Sequence, residues 1–249
     1  MGLKITPIPA FRDNYIWLLH DSGHAVVVDP GDAIPVIAAL ALRHLTLDAI
    51  LITHHHADHT DGVSELLSTY PATVYAPARG KYKFHHQAVG EGDTIVLDHL
   101  HSRLQVIETP GHTHDHVVYY GANCLFCGDT LFGCGCGRLF EGSSQELYHS
   151  LQRLAKLPPQ TQVFCAHEYT RHNIEFARKL DPDNAALLRR ELEVNTTLAQ
   201  QRPSLPSTIA LELATNPFLR CTSPAIRVAL PGDNPETIFG VMRELRNSF

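Results

Sequence analysis

The chain has 249 residues, of which 44% are hydrophobic and 18% charged, enough for one large globular domain or for one domain with a smaller companion. Its net charge of −6 excludes a nucleic-acid partner held by bulk charge, and no apolar stretch is long enough for a membrane-spanning helix. Seventeen histidines is a high count, and their placement carries more of the argument than their number.

Leu3-Lys4-Ile5-Thr6-Pro7-Ile8 alternates like an edge strand, a better reading than the short Met-Gly-x-x-x-Thr acylation pattern it overlaps. The N-terminus lacks the hydrophobic core of a signal peptide, so a cytoplasmic monomer with reduced cysteines is expected. Residues 15–19 and 25–28 read as a hairpin turning at Asp21-Ser22-Gly23, and Asp29-Pro30-Gly31 ends its second strand sharply. Apolar residues at helical spacing follow from Ala33 to about His44. Ala49-Ile50-Leu51-Ile52 is a buried strand, and a helix runs through Val63, Leu66 and Leu67.

Between that strand and that helix lies Thr53-His54-His55-His56-Ala57-Asp58-His59-Thr60-Asp61-Gly62. It sits at a strand's carboxyl end, where open α/β sheets place their ligands. The middle of the chain continues as strands over 73–75, 94–97, 104–107, 116–120 and 125–127. Cys124-Leu125-Phe126-Cys127 resembles a redox CxxC, but within an apolar strand packing is the simpler role. Helices are expected over 170–180 and 184–201 and from Pro235 through Leu245, with prolines loosening the stretch between. The expected architecture is α/β: two facing sheets with helices outside, a four-layer αβ/βα sandwich over residues 1–168, then a small helical domain over 169–249.

Imidazole and carboxylate are ligands for zinc, iron and manganese. One tetrahedral site cannot easily use all four of His54, His56, Asp58 and His59, so two metals are the first reading. Three more strand ends deliver ligand-type residues: His112 after Thr109-Pro110-Gly111, Asp129 after Cys127-Gly128, and His167 after 163–166. Seven donors suit two ions, with the strand-end carboxylate Asp129 shared. Two adjacent Lewis acids that acidify a water imply hydrolysis without naming the bond. His55 points away from His54 and His56 in an extended chain, and His55, His114 and His116 are not expected to ligate. The plainer alternatives are an exposed histidine cluster or a single structural zinc.

The THxHxDH block, the Pro-Gly-His turn, the Gly-Asp and the final histidine resemble the metallo-β-lactamase superfamily. Residues 11–17 (Phe-Arg-Asp-Asn-Tyr-Ile-Trp), 128–132, 135–142 and 166–170 (Ala-His-Glu-Tyr-Thr) are similar to glyoxalase II, the hydroxyacylglutathione hydrolases. That resemblance implies cleavage of S-D-lactoylglutathione to D-lactate and glutathione, the second step of methylglyoxal detoxification, by attack of a metal-bridging hydroxide. By the same resemblance His54, His56 and His112 hold one divalent metal and Asp58, His59 and His167 a second. Asp129 bridges them, and Asp58 also orients the hydroxide. The metals implied are zinc, with iron or manganese as alternatives. Arg138, Phe140, Tyr169, Arg243 and Arg246 match substrate-binding positions. Four departures stand out: Ala57 where relatives often carry a large residue, Asp61 for a glycine, Phe140 for a tyrosine, and Arg246-Asn247 for a commoner Lys-Asp. The competing readings are a lactonase, a β-lactamase, a one-iron persulfide dioxygenase, and a metal-binding module without turnover.

Overall fold

The structure is a computed structural model that describes residues 3–249, so the acylation pattern at the N-terminus lies outside the described residues. It forms two compact units: residues up to Glu108 with Asp115–Gly128, and Thr109–His114 with Asp129–Phe249.

The first unit contains β1 (Lys4–Ala10), β2 (Asn14–His20), β3 (His24–Val28), α1 (Ala33–Arg43), β4 (Thr46–Leu51), α2 (Ala57–Thr60), α3 (Val63–Thr69), β5 (Thr73–Pro77), β6 (Gln87–Val89), β7 (Thr94–Leu97), β8 (Ser102–Glu108), β9 (Val117–Gly121) and β10 (Cys124–Gly128). Strands β1 to β6 form one sheet in chain order. Its first three strands are antiparallel and β3 through β6 are parallel. The β2–β3 turn is set by Asp21, whose carboxylate accepts from the amides of Gly23 and His24 at 2.8 and 2.9 Å. Those amides hold its pKa below the usual carboxylate value.

The apolar runs of β3 and β4 are continuous, not alternating, because both faces of the sheet are covered. On one face α1 and α3 bury Val36, Leu40, Val63 and Leu66 against Val27 and Ile50. Across the other face lies the antiparallel meander β7–β8–β9–β10. There the buried Tyr119 hydroxyl donates to the Ile52 carbonyl at 2.6 Å, and the Val117 amide to that of Thr53 at 2.9 Å. Ile50, Leu51 and Ile52 are each 0% exposed. At roughly 1.5–3 kcal/mol per buried aliphatic side chain, this strand fixes where the histidine-rich loop begins.

The second unit contains β11 (Leu131–Phe132), β12 (Gly135–Cys136), α4 (Ser144–Leu154), β13 (Gln162–Cys165), α5 (Thr170–Leu180), α6 (Ala185–Ala199), β14 (Ser207–Thr208), α7 (Ile209–Thr215), α8 (Pro224–Ala229) and α9 (Pro235–Asn247). Strand β13 pairs with β14, and β11 with β12, both antiparallel. Helices α5, α6 and α9 lie where periodicity expects them. Helix α4 was not anticipated, although Ser143 and Glu146 cap it reciprocally and Leu147, Leu151 and Leu154 line its buried side. The short β6, β11, β12, β14, α7 and α8 were also unread. Contacts remote in sequence make the β11–β12 turn: the Cys134 backbone amide donates to the Glu212 carboxylate at 2.8 Å, and the Asn216 side-chain amide donates to the Gly135 carbonyl at 2.9 Å. Glu212 is itself paired with Arg190, both fully buried.

All six cysteines are buried thiols. Burial pushes Cys124 up to about 11 and Cys134 and Cys221 up to about 12. No helix among the described residues is long and apolar enough to cross a membrane.

Candidate functional site

In the first unit the loop after β4 carries His54, His56, Asp58 and His59, the last two on the four-residue α2. Its support comes from Asp29, which follows β3 with a left-handed φ of 55° and is 4% exposed. Asp29 accepts from the Thr53 amide and hydroxyl, both at 2.8 Å, and its Oδ2 lies 3.1 Å from His59 Nδ1. With the Thr53 hydroxyl proton committed to Asp29, that oxygen accepts from His54 Nδ1 at 3.0 Å. His54 Nε2 is then left as an acceptor, 3.1 Å from His56 Nδ1. Asn14 donates its amide to Asp58 Oδ2 at 3.0 Å, and His59 Nε2 lies 3.5 Å from that same oxygen. Gly31 is required by close approach, since a Cβ there would fall 1.9 Å from the Asp58 carbonyl oxygen. His55 turns elsewhere, to Asp115 Oδ1 at 2.9 Å, and His116 stacks on His54.

In the second unit His112, Asp129 and His167 come together. His112 Nδ1 donates to the Arg138 carbonyl at 2.6 Å, which fixes its tautomer and directs Nε2 to Asp129 Oδ2 at 3.4 Å. His167 Nε2 lies 3.4 Å from Asp129 Oδ1. The two carboxylate oxygens thus address two different imidazoles. Gly137 admits this arrangement, because a Cβ there would lie 2.0 Å from the Asp129 carbonyl oxygen.

These donors fit a divalent metal. Three of the facing pairs stand 3.4 to 3.5 Å apart. That is longer than a hydrogen bond, yet it matches the edge of about 3.4 Å between two ligands held about 2.1 Å from one tetrahedral ion. Tying one ring nitrogen to a hydroxyl, carbonyl or carboxylate, as at His54, His112 and His59, is how metal-ligating imidazoles are oriented.

Next to His112 and Asp129 the second unit has a cavity of about 330 Å³ that Arg138, Phe140, Tyr169, Arg243 and Arg246 all line. Tyr169 stacks flat on His167 with ring centroids 4.7 Å apart. Arg138 is exposed and lies over the Phe140 ring. Arg243 is 5% exposed and spends its fork on the chain: Nη1 donates to the carbonyls of Cys136 and Gly137 at 3.0 and 3.2 Å, and Nη2 to Asn247 at 3.1 Å. Arg246 is half-buried and donates to Asn173 Oδ1 at 3.1 Å. Burial, then the neighbouring Arg243, draws its pKa below the usual value. Three guanidinium groups around one small cavity suit an anionic ligand.

Residues 10–167 match the family model of the metallo-beta-lactamase superfamily, and residues 168–249 that of the hydroxyacylglutathione hydrolase C-terminus. A hydroxyacylglutathione hydrolase of Methylobacillus flagellatus is 54% identical over 248 residues, 99% of each chain. The chain belongs to the hydroxyacylglutathione hydrolase family. Its fold is accordingly the metallo-β-lactamase α/β sandwich with a helical C-terminal region, as expected from the sequence. Among solved structures, ETHE1 from Myxococcus xanthus superposes with a TM-score of 0.66 at 26% identity, covering 100% of this chain and 99% of its own. TTHA1623 in a di-iron-bound form gives 0.63 at 26% identity, covering 86% and 100%.

Several residues that bear on this family member's site escaped the sequence reading. Asp29 has a signal, an acid directly after a buried strand. Phe132, Cys136, Asn173 and Asn247 also line the cavity, and nothing in their local sequence marks them.

Proposed function

We propose that the chain is a metal-dependent thioester hydrolase that cleaves S-D-lactoylglutathione to D-lactate and glutathione. The observation that carries the reading is the arginine-lined cavity beside His112 and Asp129, which offers fixed cations for glutathione's carboxylates next to ligand-type residues. The names of its relatives support the same substrate.

By the family pattern His54, His56 and His112 would hold one divalent ion and Asp58, His59 and His167 a second, with Asp129 shared, zinc being the first choice and iron or manganese the alternatives. The two differently directed oxygens of Asp129 and a di-iron-bound relative of this fold support a pair of ions. Such ions, when bound, supply Lewis acidity and acidify a water toward neutral pH. The chain does the rest. Arg246 and Arg138 hold the carboxylates of glutathione, with Arg243 stiffening the wall, and Tyr169 presents its hydroxyl beside them. Asp58, steadied by Asn14, would also orient the attacking water. A division after residue 168, into a catalytic domain and a helical substrate-binding domain, belongs to the same proposal, and the meeting of the two family models at residues 167 and 168 supports it. Buried thiols suit a reducing compartment, and a cytoplasmic monomer belongs to the same proposal.

The test is a substrate panel on zinc-loaded protein. Hydrolysis of S-D-lactoylglutathione that stops on chelation and returns with Zn²⁺ is expected. A protein that leaves this thioester untouched and opens a lactone or a β-lactam refutes the reading.

A further inference from the structure

Away from the site already described, the first unit carries another group of ligand-type side chains. His24, Asp48 and His99 each offer a ligand atom, and the three atoms lie within 4.8 Å of one another. His24 opens β3 and Asp48 lies early in β4, two parallel strands whose carboxyl ends lead to Asp29 and to the metal loop. At about 3.3 Å per strand residue, His24 and Asp29 are about 16 Å apart along the chain. His99 comes from the turn Asp98–Leu100 that joins β7 to β8 in the other sheet.

The β3–β4 register slips between Ala25 and Val26, which leaves Asp48 as an extra residue in the ladder. Bulges of this kind re-aim a side chain. Here both Asp48 oxygens come within 2.9 and 3.0 Å of His24 Nδ1. The His99 ring lies flat on that of His24, with centroids 3.9 Å apart and planes 5° from parallel. Stacking engages the ring faces and leaves the nitrogens at the ring edges available. Among the described residues, those of His99 have no hydrogen-bond partner. A cavity of about 300 Å³ adjoins the group: Asp48, Asp98 and His99 line it, and no lysine or arginine does. Two carboxylates without a fixed countercharge in its wall favour a cation there.

We propose that His24, Asp48 and His99 form a further metal site, which takes a divalent transition ion of the zinc class. Two imidazoles and a carboxylate are donors that such an ion accepts, with water completing its shell. The ion replaces the proton that His24 Nδ1 shares with Asp48, and the 2.9 Å separation opens to the edge of about 3.4 Å between ligands of one tetrahedral ion. His99 is exposed and held only by the stack, so rotation about its side-chain bonds brings a nitrogen to the ion. The bound ion ties β3 and β4 of one sheet to the β7–β8 turn of the other, which stabilises the fold without touching the chemistry. The site shares no residue with the donors proposed for catalysis, so its failure leaves the thioesterase reading intact.

The experiment uses the full chain, stripped of metal and reloaded at low micromolar free Zn²⁺, as wild type, His99→Gln and His24→Gln. Elemental analysis should find about one zinc per chain fewer in each variant than in the wild type. On the same samples zinc should raise Tm by roughly 2–4 °C more in the wild type than in His99→Gln. His99 is exposed and bonded to no backbone group, so the zinc-free variant and the zinc-free wild type should melt together. Equal zinc content in the wild type and His99→Gln overturns the inference, and so does an equal zinc-dependent rise in Tm.

Discussion

Asp29 binds together three features of the metal loop: the Thr53 amide, the Thr53 hydroxyl and, at 3.1 Å, His59. Outer partners of metal ligands are worth about 10–100-fold in affinity or activity. Asp29→Ala should accordingly lower metal content and kcat by about that factor, read by elemental analysis and by thioester turnover on the same sample. Unchanged metal content would show that Thr53 and the backbone suffice. His59→Ala should lose both metal and turnover, and His55→Ala should keep the metal, because His55 is engaged with Asp115. Phe140 is 62% exposed at the cavity rim beside Arg138. Giving it a hydroxyl, as Phe140→Tyr, should lower KM by roughly 2–10-fold with kcat little changed, the worth of one modest hydrogen bond. The candidate ligands were legible because each ends a short apolar run. Asp29's role, and that of Asn173 in holding Arg246, consist of contacts between segments far apart in the chain, which no local pattern records.

Among elements, the β11–β12 turn depends most on what lies outside it. Its two residues on either strand are too few to pair stably alone. Glu212 accepts from the Cys134 amide while paired to Arg190, and Phe132 and Cys136 on the two strands line the arginine cavity. Removing one member of a buried ion pair costs about 3–5 kcal/mol. Glu212→Ala should therefore lower the unfolding free energy by that order in urea titration, and raise KM more than it lowers kcat. A KM unchanged alongside the lost stability would separate the buttress from the cavity. The long elements were readable because β3, β4, α5 and α9 carry full periods of pattern. The short strands, α7 and α8 carry less than one period, and tertiary contacts decide them. Helix α4 is the exception, readable from its capping box and its leucines.

At the scale of the whole molecule, the thiols set an alkaline limit. Cys124, Cys134 and Cys221 have folded values of about 11 to 12 against an ordinary value of 9.0. Below pH 9 these thiols are protonated in both the folded and the unfolded chain, so the stabilisation is fully present. Above it the unfolded chain releases protons that the folded chain keeps, and stability is lost as pH climbs toward 11–12. Urea midpoints should be level from pH 7 to 9 and fall steadily beyond. A midpoint unchanged at pH 11 would mean that these thiols ionise in place.

In the proposed function the labour is divided: the histidine–aspartate donors would supply the chemistry, and the arginine cavity would choose the substrate. The most direct test is kcat/KM for S-D-lactoylglutathione against the lactoyl thioester of N-acetylcysteamine, which carries the same acyl group and no carboxylate. Two charge-assisted carboxylate contacts imply a preference for the glutathione ester on the order of 100-fold or more, narrowed by about tenfold in Arg246→Gln. Equal values for the two esters in the wild type would contradict it.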